Sequence, residues 1–369
     1  MRDFLKALAL FMGTIIGVGV FGLPYVASKA GFFIVVFYFI LISFFVIITD
    51  LIFGEVCLNT KGFHRLPGYV EKYLGKNWKK FSFFTSFFLV TGACLAYMIV
   101  GGKFLFYILG PVLGGESSVY SLLFFALGSY LVFRGVKTIS QIELSLLIVL
   151  FAILITFFLE GFSFVNIDYL KNIDLTFLAL PYGVVLFSLT GLCVIPELKE
   201  MLNNRIKLRK VIVSGVLISM LTYLLFTFII FSVSGSVTSK DALSGFVSVV
   251  GDGTVKIGFV FGIIACFTSF ISLGLTLKKT LWYDIGLPKN ISWLIFSLLP
   301  LSFFLLGFSQ FIEIIALTGA VAIGSEAIIV IFLYKAFLEE KKKKFNSCFY
   351  LIPLFFCLGI ICQIFYLLN

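Results

Sequence analysis

Backbone groups, rather than side chains, are the chemically active feature of the first apolar stretch of this sequence. Within twelve residues it places four glycines and a proline: Gly13, Gly17, Gly19, Gly22 and Pro24. Inside a helix a glycine costs about 1 kcal/mol relative to alanine, and a proline about 3 kcal/mol. We therefore predict two half-helices joined by extended backbone. Unwound backbone at membrane depth needs a partner for its polar groups, and the natural partner is a ligand or an ion.

The same glycines have a simpler interpretation. Gly13 and Gly17 form a small-xxx-small pair, which in many membrane helices only lets a neighbouring helix pack closely. An isolated pair of this kind favours packing. The additional glycines and Pro24, near the expected centre of the bilayer, favour the interrupted helix instead.

The composition is that of an integral membrane protein. Of the 369 residues, 61% are hydrophobic and 12% are charged, whereas soluble domains carry about 25% charged residues. The apolar runs are continuous rather than alternating, which predicts an all-α protein and excludes a transmembrane barrel. We predict eleven spans, at residues 7–27, 32–54, 81–109, 117–133, 143–160, 175–197, 210–232, 256–282, 291–308, 311–336 and 349–368.

The distribution of positive charge predicts the orientation. With the N-terminus inside, the 28 Lys and Arg residues fall on the inner side except for Lys29, Lys103, Lys171, Lys240 and Lys256. By the positive-inside rule this predicts a multi-pass protein of the cytoplasmic membrane, with its N-terminus inside and its C-terminus outside. The asymmetry also accounts for the net charge of +10 without a nucleic-acid partner. The sequence carries no signal for an oligomeric state.

Several classes of function are disfavoured. The seven cysteines form no CxxC pair, and the single histidine, His64, falls in a polar loop, so we expect no metal site and no cofactor. An intramembrane enzyme is disfavoured as well, because the chain has no HExxH or GxSxG motif and no histidine in any span.

A second break-prone stretch lies in span six. Polar and helix-breaking residues interrupt it near its middle and end: Ser188, Thr190, Gly191 and Pro196. This stretch comes five spans after the first. Because five is odd, the two helices cross in opposite directions, which is the signature of an inverted repeat. We predict a 5+5 inverted-repeat transporter fold with discontinuous helices 1 and 6. Its core would be residues 1–346, with repeats 1–172 and 173–346, followed by an eleventh helix at 347–369.

Two sequences carry a family resemblance: GTIIGVGVFGLP from Gly13 and FSLTGLCVIPE from Phe187. They resemble the amino acid–polyamine–organocation superfamily, most of all the amino acid/auxin permease branch and the bacterial aromatic amino acid permeases. Residues 96–102 and 319–326 are compatible with that branch, whereas Lys103 replaces a residue that is usually small. The resemblance implies a symporter that imports amino acids by alternating access; a non-transporting amino acid sensor on the same fold is an alternative.

An amino acid substrate needs hydrogen-bond donors for its carboxylate and acceptors for its ammonium group. The positive end of a half-helix supplies donors, and we assign them to the backbone N–H groups of Gly17, Val18 and Gly19. The acceptors would be freed carbonyl oxygens around Phe187, Ser188 and Thr190. Tyr97 and Phe187 are candidates to close over the substrate side chain, although with 48 phenylalanines any one of them can serve packing alone.

Coupling to Na⁺ is suggested by a short motif in span eight. Ala265, Thr268 and Ser269 resemble the sodium-binding motif of the neurotransmitter:sodium symporters, in which carbonyls of the first broken helix, here Gly13 and Ile16 by position, complete the site. Alternatively, the two hydroxyls only bond to their own helix backbone. A third reading is H⁺ coupling through Glu326, an intramembrane carboxylate that can equally be a neutral structural group.

The central parts of spans one, three, six and eight hold no Asp, Glu, Lys or Arg. They offer Phe21, Tyr97, Phe187 and Phe267 instead, so we expect a neutral substrate; the preference for large apolar or aromatic L-amino acids comes chiefly from the resemblance. Two further segments have alternative interpretations. The segment 241–250 is either a short helix that acts as a lid or an ordinary loop. The charged run 339–344 is either a solvated linker or a contact for anionic membrane lipid.

Overall fold

The computed structural model describes residues 2–135, 139–251 and 255–368, and most of these residues are α-helical. The first half of the chain forms α1 (Arg2–Ile15), α2 (Gly19–Ala30), α3 (Phe32–Asn59), α4 (Leu66–Leu74), α5 (Lys76–Leu113), α6 (Ser117–Arg134), α7 (Ile139–Gly161), α8 (Leu180–Leu189) and α9 (Ile195–Leu202). The second half forms α10 (Arg205–Ser234), α11 (Leu243–Val250), α12 (Val255–Lys279), α13 (Lys289–Leu305), α14 (Phe311–Leu317), α15 (Gly324–Glu340) and α16 (Leu351–Leu368).

These helices confirm the predicted spans. Eight helical segments in the described ranges are long and apolar enough to cross a bilayer, and α1 with α2 forms one more span that is bent. Two shorter apolar helices, in α7 and α13, correspond to predicted spans five and nine. Lys137, which was assigned to the inner side, lies outside the described residues, and the division into two repeats at residue 172 stays a prediction.

The first break falls where the glycines predict it. Helix α1 ends at Ile15, α2 begins at Gly19, and the two axes meet at an angle of 52°. Pro24 lies inside α2 rather than in the break. The glycines, which stabilise a helix least of the ordinary residues, therefore account for the position of the interruption.

The second break separates α8 from α9. Thr190 has an extended backbone conformation, Gly191 follows it, and a short 3₁₀ turn leads into α9. Pro181 and Pro196 lie in the first turns of α8 and α9. Proline is tolerated there because the N–H groups of a first turn have no acceptor within the helix. The sequence prediction of a discontinuous helix six is confirmed.

The interrupted helix α8 packs unusually close to the α14–α15 segment. A π-helical stretch, Thr318–Ile323, joins α14 to α15. A Cβ atom added to Gly183 would overlap the carbonyl oxygen of Ala316, and one added to Gly319 would overlap the carbonyl oxygen of Gly183. Glycine at both positions thus allows backbone-to-backbone contact, which holds the second break against a rigid neighbour.

The C-terminal helix α16 supports the same region. The side-chain oxygen Oε1 of Gln363, which is fully buried, accepts a hydrogen bond of 3.1 Å from the Gly183 N–H at the start of α8. The first N–H groups of a helix lack partners within that helix. Helix α16 therefore contributes a cap to α8 in addition to apolar packing.

The helix bundle has two ends, and we call the one at which α1 begins 'the basic end'. Arg65, Glu197 and Arg205 lie at this end, because each is separated from the start of α1 by an even number of crossings. The predicted short helix within 241–250 is α11, at the opposite end.

Candidate functional site

The two helix breaks face a common cavity of about 80 Å³, which we call the central cavity. Its walls come from α1 and α2 with their break, from α5, from α8 with its break, and from α12. The residues that line it are Gly13, Thr14, Ile15, Gly17, Gly19, Leu89, Ala93, Tyr97, Phe187, Ser188, Thr190, Cys193, Ser269, Ser272 and Leu273. None of them is Asp, Glu, Lys or Arg, so the polarity of the cavity comes from backbone groups and hydroxyls.

Most of the predicted substrate-site residues meet in this cavity. Gly17 and Gly19 line it from one break, Tyr97 from α5, and Phe187, Ser188 and Thr190 from the other break. The Val18 side chain does not line the cavity and is buried, so Val18 can act there only through its backbone. Phe21 and Phe267 also lie outside the lining.

The backbone of the first break has N–H donors without a backbone acceptor. Within the described residues no backbone carbonyl accepts a hydrogen bond from the N–H groups of Gly17 or Val18, whereas the Ile16 N–H donates to Met12. These groups lie at the start of α2, where the helix dipole is positive. The end of α8 across the cavity has the opposite polarity and exposes carbonyl oxygens. The arrangement matches a ligand that carries a carboxylate and an ammonium group.

Close packing around the first break requires glycine. A Cβ atom added to Gly17 would lie 2.8 Å from the Tyr97 hydroxyl oxygen, and one added to Gly19 would overlap the Ser188 side chain. Tyr97 is in addition a hydrogen-bonding neighbour of Ser269 on α12. Four elements therefore meet within a few ångströms, and a side chain at either glycine would separate them.

The predicted ion-site residues are only partly brought together. Gly13 and Ser269 line the central cavity, whereas Ile16, Ala265 and Thr268 do not. The Thr268 hydroxyl donates to the carbonyl oxygens of Ile264 (3.0 Å) and Ala265 (3.1 Å) on its own helix. That bonding leaves the hydroxyl lone pairs free to bind a cation.

Glu326 lies beside a second cavity of about 70 Å³ towards the basic end. Its side chain is only 3% exposed, and Oε1 accepts a hydrogen bond of 2.6 Å from the Ser86 hydroxyl. The second cavity and the central cavity share three wall residues: Leu89, Cys193 and Leu273. Glu326 is thus one layer of side chains away from the predicted substrate site.

An ion pair closes the second cavity at the basic end. Arg65, at the start of α4, lines this cavity and pairs with Glu197 of α9 at 3.1 Å. The Lys199 ammonium group donates to the carbonyl oxygens of Thr60 and Gly62 at 3.0 and 2.9 Å. These contacts fasten the half-helix beyond the second break to the α3–α4 connection.

Aromatic rings and a second ion pair close the opposite end. Phe21 packs edge-to-face on Phe104 with 4.9 Å between the ring centroids. Lys103, the unusual residue of span three, pairs with Asp241, which is buried and precedes α11. Asp241 also accepts a hydrogen bond of 2.8 Å from the Ser244 N–H in the first turn of α11. The short helix is therefore tied to α5.

Comparison with known proteins identifies the family. Residues 1–367 match the tryptophan/tyrosine permease family. The chain belongs to this family. No curated protein matches the sequence significantly.

Two solved structures share the fold of this permease. One is MhsT in complex with L-phenylalanine, with a TM-score of 0.67 and 16% identity over 99% of this chain and 98% of that one. The other is Mhp1, a nucleobase-cation-symport-1 family transporter in a closed conformation with bromovinylhydantoin bound. Its TM-score is 0.71, with 12% identity over 98% of this chain and 90% of that one. The protein is thus an all-α, multi-pass secondary transporter of amino acids with the 5+5 inverted-repeat fold, and not an enzyme.

One polar residue that joins the two breaks of this permease, Tyr223, has little signal in the sequence. The fully buried Tyr223 hydroxyl, on α10, lies 2.7 Å from the Ile15 carbonyl oxygen and 2.9 Å from the Ser188 carbonyl oxygen. It donates its proton to these two oxygens, one at each break, and the Gly17 backbone is a further hydrogen-bonding neighbour. The only sequence signal was a polar ring inside an apolar span.

We predict that Tyr223→Phe lowers the free energy of unfolding of the permease by about 1–3 kcal/mol, the cost of leaving buried hydrogen-bonding groups unsatisfied. The measurement is denaturation of the purified protein in detergent. Tyr130→Phe is the matched control, because Tyr130 is exposed on α6 and should tolerate the change. Equal stability of the two variants would show that the Tyr223 hydroxyl does not join the breaks.

Proposed function

We propose that this permease imports large apolar or aromatic L-amino acids across the cytoplasmic membrane by alternating access, with its basic end in the cytoplasm. The observation that carries the proposal is the placement of N–H donors that lack a backbone acceptor at the first break opposite carbonyl oxygens at the second. The described lining of the cavity between them holds no charged side chain. A cationic or anionic substrate side chain would need a charged partner there. The family description and the bound L-phenylalanine of MhsT support an aromatic substrate.

In this proposal the substrate carboxylate accepts hydrogen bonds from the backbone N–H groups of Gly17, Val18 and Gly19. The ammonium group donates to carbonyl oxygens near Phe187, Ser188 and Thr190, and Tyr97 and Phe187 bound the side-chain space. The central cavity, at about 80 Å³, is well below the ~300 Å³ of a typical ligand pocket. The closed form must therefore open towards one end of the bundle to admit substrate.

The two closures suggest how alternating access works. Opening at the basic end would separate Arg65 from Glu197 and join the central cavity to the second cavity. Opening at the opposite end would move Phe21 away from Phe104 and α11 away from Lys103. In this scheme α11 is a lid on the outer side.

We propose Na⁺ as the coupling ion, held by the carbonyl oxygens of Gly13 and Ile16 and by Ala265, Thr268 and Ser269. Two of these residues already line the central cavity, and the Ala265 carbonyl and Thr268 hydroxyl are adjacent on α12. Hard oxygen ligands suit Na⁺, and no charged side chain is needed to hold it.

H⁺ is the second candidate, favoured by the position of Glu326. A buried carboxylate that lines the second cavity and bonds to Ser86 can bind a proton on one side of the cycle and release it on the other. In that case the A-x-x-T-S motif is structural, and the bond from the Thr268 hydroxyl to its own helix is its whole role.

The substrate proposal predicts the outcome of competition during uptake. Proteoliposomes containing the permease should accumulate labelled L-tryptophan, and unlabelled phenylalanine, tyrosine or leucine should inhibit the uptake, whereas lysine and glutamate should not. Gly19→Ala should abolish uptake because its Cβ would overlap Ser188, while Gly324→Ala should retain it, because its Cβ would meet the flexible Ile360 side chain at 3.2 Å and the Tyr182 hydroxyl at an ordinary contact distance of 3.8 Å. Inhibition by lysine or glutamate alone would refute the neutral site.

The coupling proposal predicts that uptake stops when choline replaces Na⁺. Thr268→Val and Ser269→Ala should each raise the Na⁺ concentration for half-maximal uptake at least tenfold, because each removes an oxygen ligand worth about 1.5–3 kcal/mol to a charged partner. Thr156→Val is the control, since Thr156 makes the same bond to its own helix backbone on α7. The coupling would be assigned to H⁺ if uptake is unchanged when choline replaces Na⁺, stops without a pH gradient and is lost in Glu326→Gln.

A further inference from the structure

A groove between α3 and α10 at the basic end is separate from the transport pathway. Its volume is about 240 Å³, and its walls come mainly from apolar side chains of the two helices, with one wall from the α15–α16 region. The lining residues used here are Leu51, Glu55, Arg205, Arg209 and Tyr334. The groove opens on a surface with large apolar side chains: Phe44 on α3 and Leu217 on α10 are exposed.

The charges of the groove leave one cation free. Arg205 pairs with Glu55 at 2.5 Å. Arg209, one turn further along α10, is exposed and forms none of the ion pairs found in the described part of the chain. Two guanidinium groups and one carboxylate give the groove a net positive charge beside its apolar walls.

The charged run 339–344 lies next to this groove. It leads directly into Phe345, whose ring centroid is 6.5 Å from that of Tyr334 on the groove wall. Phe349, which lines the groove as well, packs edge-on against Tyr334 at 5.8 Å. The four lysines of the run, Lys341–Lys344, outnumber the two glutamates that precede them, so the run adds net positive charge near the rim.

We propose that this groove binds the headgroup of an anionic phospholipid. Arg209 and Arg205 contact the phosphate oxygens, to which the planar guanidinium group is suited, and an acyl chain lies on the partly exposed Leu51 of the apolar wall. The apolar walls distinguish a lipid from free phosphate, because inorganic phosphate gains nothing from them. Basic pockets between helices on the cytoplasmic side are a recognised form of lipid site, and the basic end has the matching sign.

The test uses the full-length protein in nanodiscs of phosphatidylcholine with a rising fraction of phosphatidylglycerol. Thermal stability and the number of lipids retained in native mass spectrometry are both measured. Arg209→Gln should weaken the phosphatidylglycerol effect at least tenfold, the loss expected when one hydrogen bond to a charged group is removed. Arg205→Gln combined with Arg209→Gln should remove it.

Lys210→Gln is the matched control, because it removes the same charge from the next residue of α10, which does not line the groove; it should behave as the unchanged protein. Inorganic phosphate added to detergent-solubilised protein should have no effect. Equal weakening in Arg209→Gln and Lys210→Gln would show general surface attraction and overturn the site. Stabilisation by phosphate alone would replace the lipid by a free anion and overturn it too.

Discussion

The structure depends on how two interrupted helices satisfy their backbone at the centre of the bundle. Each break frees N–H and carbonyl groups that a continuous helix would pair with each other. In an apolar interior without water, every such group must find another partner. The Tyr223 hydroxyl supplies one for the carbonyl oxygens of Ile15 and Ser188. The N–H groups of Gly17 and Val18 keep no backbone acceptor. The carboxylate of the substrate is proposed to supply the acceptor that the backbone does not.

The use of backbone groups as the proposed binding groups explains why the described lining of the cavity contains no charged side chain. A buried lysine or glutamate would carry a large desolvation cost whenever the cavity is empty. Oriented peptide groups at helix ends provide partial charges of both signs without that cost. Charged side chains lie instead at the two ends of the bundle, as the ion pairs Arg65–Glu197 and Lys103–Asp241. Glu326 is separated from the central cavity by one layer of side chains.

Features encoded locally were predictable from the sequence. Glycine clusters, prolines and apolar length determine where helices start, stop and break, so both interruptions were predicted correctly, and each of the eleven predicted spans corresponds to an apolar helical segment of the described residues. Most predicted substrate-site residues share one cavity because the breaks of oppositely directed helices meet in this fold. Phe21 and Phe267 also occupy central parts of their spans but lie outside the cavity lining, because composition indicates that a ring is buried but not which neighbour it packs against.

Features that depend on contacts between distant helices were not predictable. Tyr223 lies 35 residues from Ser188 and 208 from Ile15, and nothing in its own span marks the two carbonyl oxygens as its partners. The pairing of Ser86 with Glu326 and of Arg65 with Glu197 likewise joins segments far apart in sequence. A single sequence records such pairs only as isolated polar residues.

A structure of the permease with L-tryptophan bound tests the central claim most directly. The account predicts the substrate carboxylate at about 2.7–3.2 Å from backbone N–H groups of residues 17–19 and its ammonium group against carbonyl oxygens of residues 187–190. A substrate bound elsewhere, or one whose carboxylate is held by a lysine or arginine side chain, would contradict it.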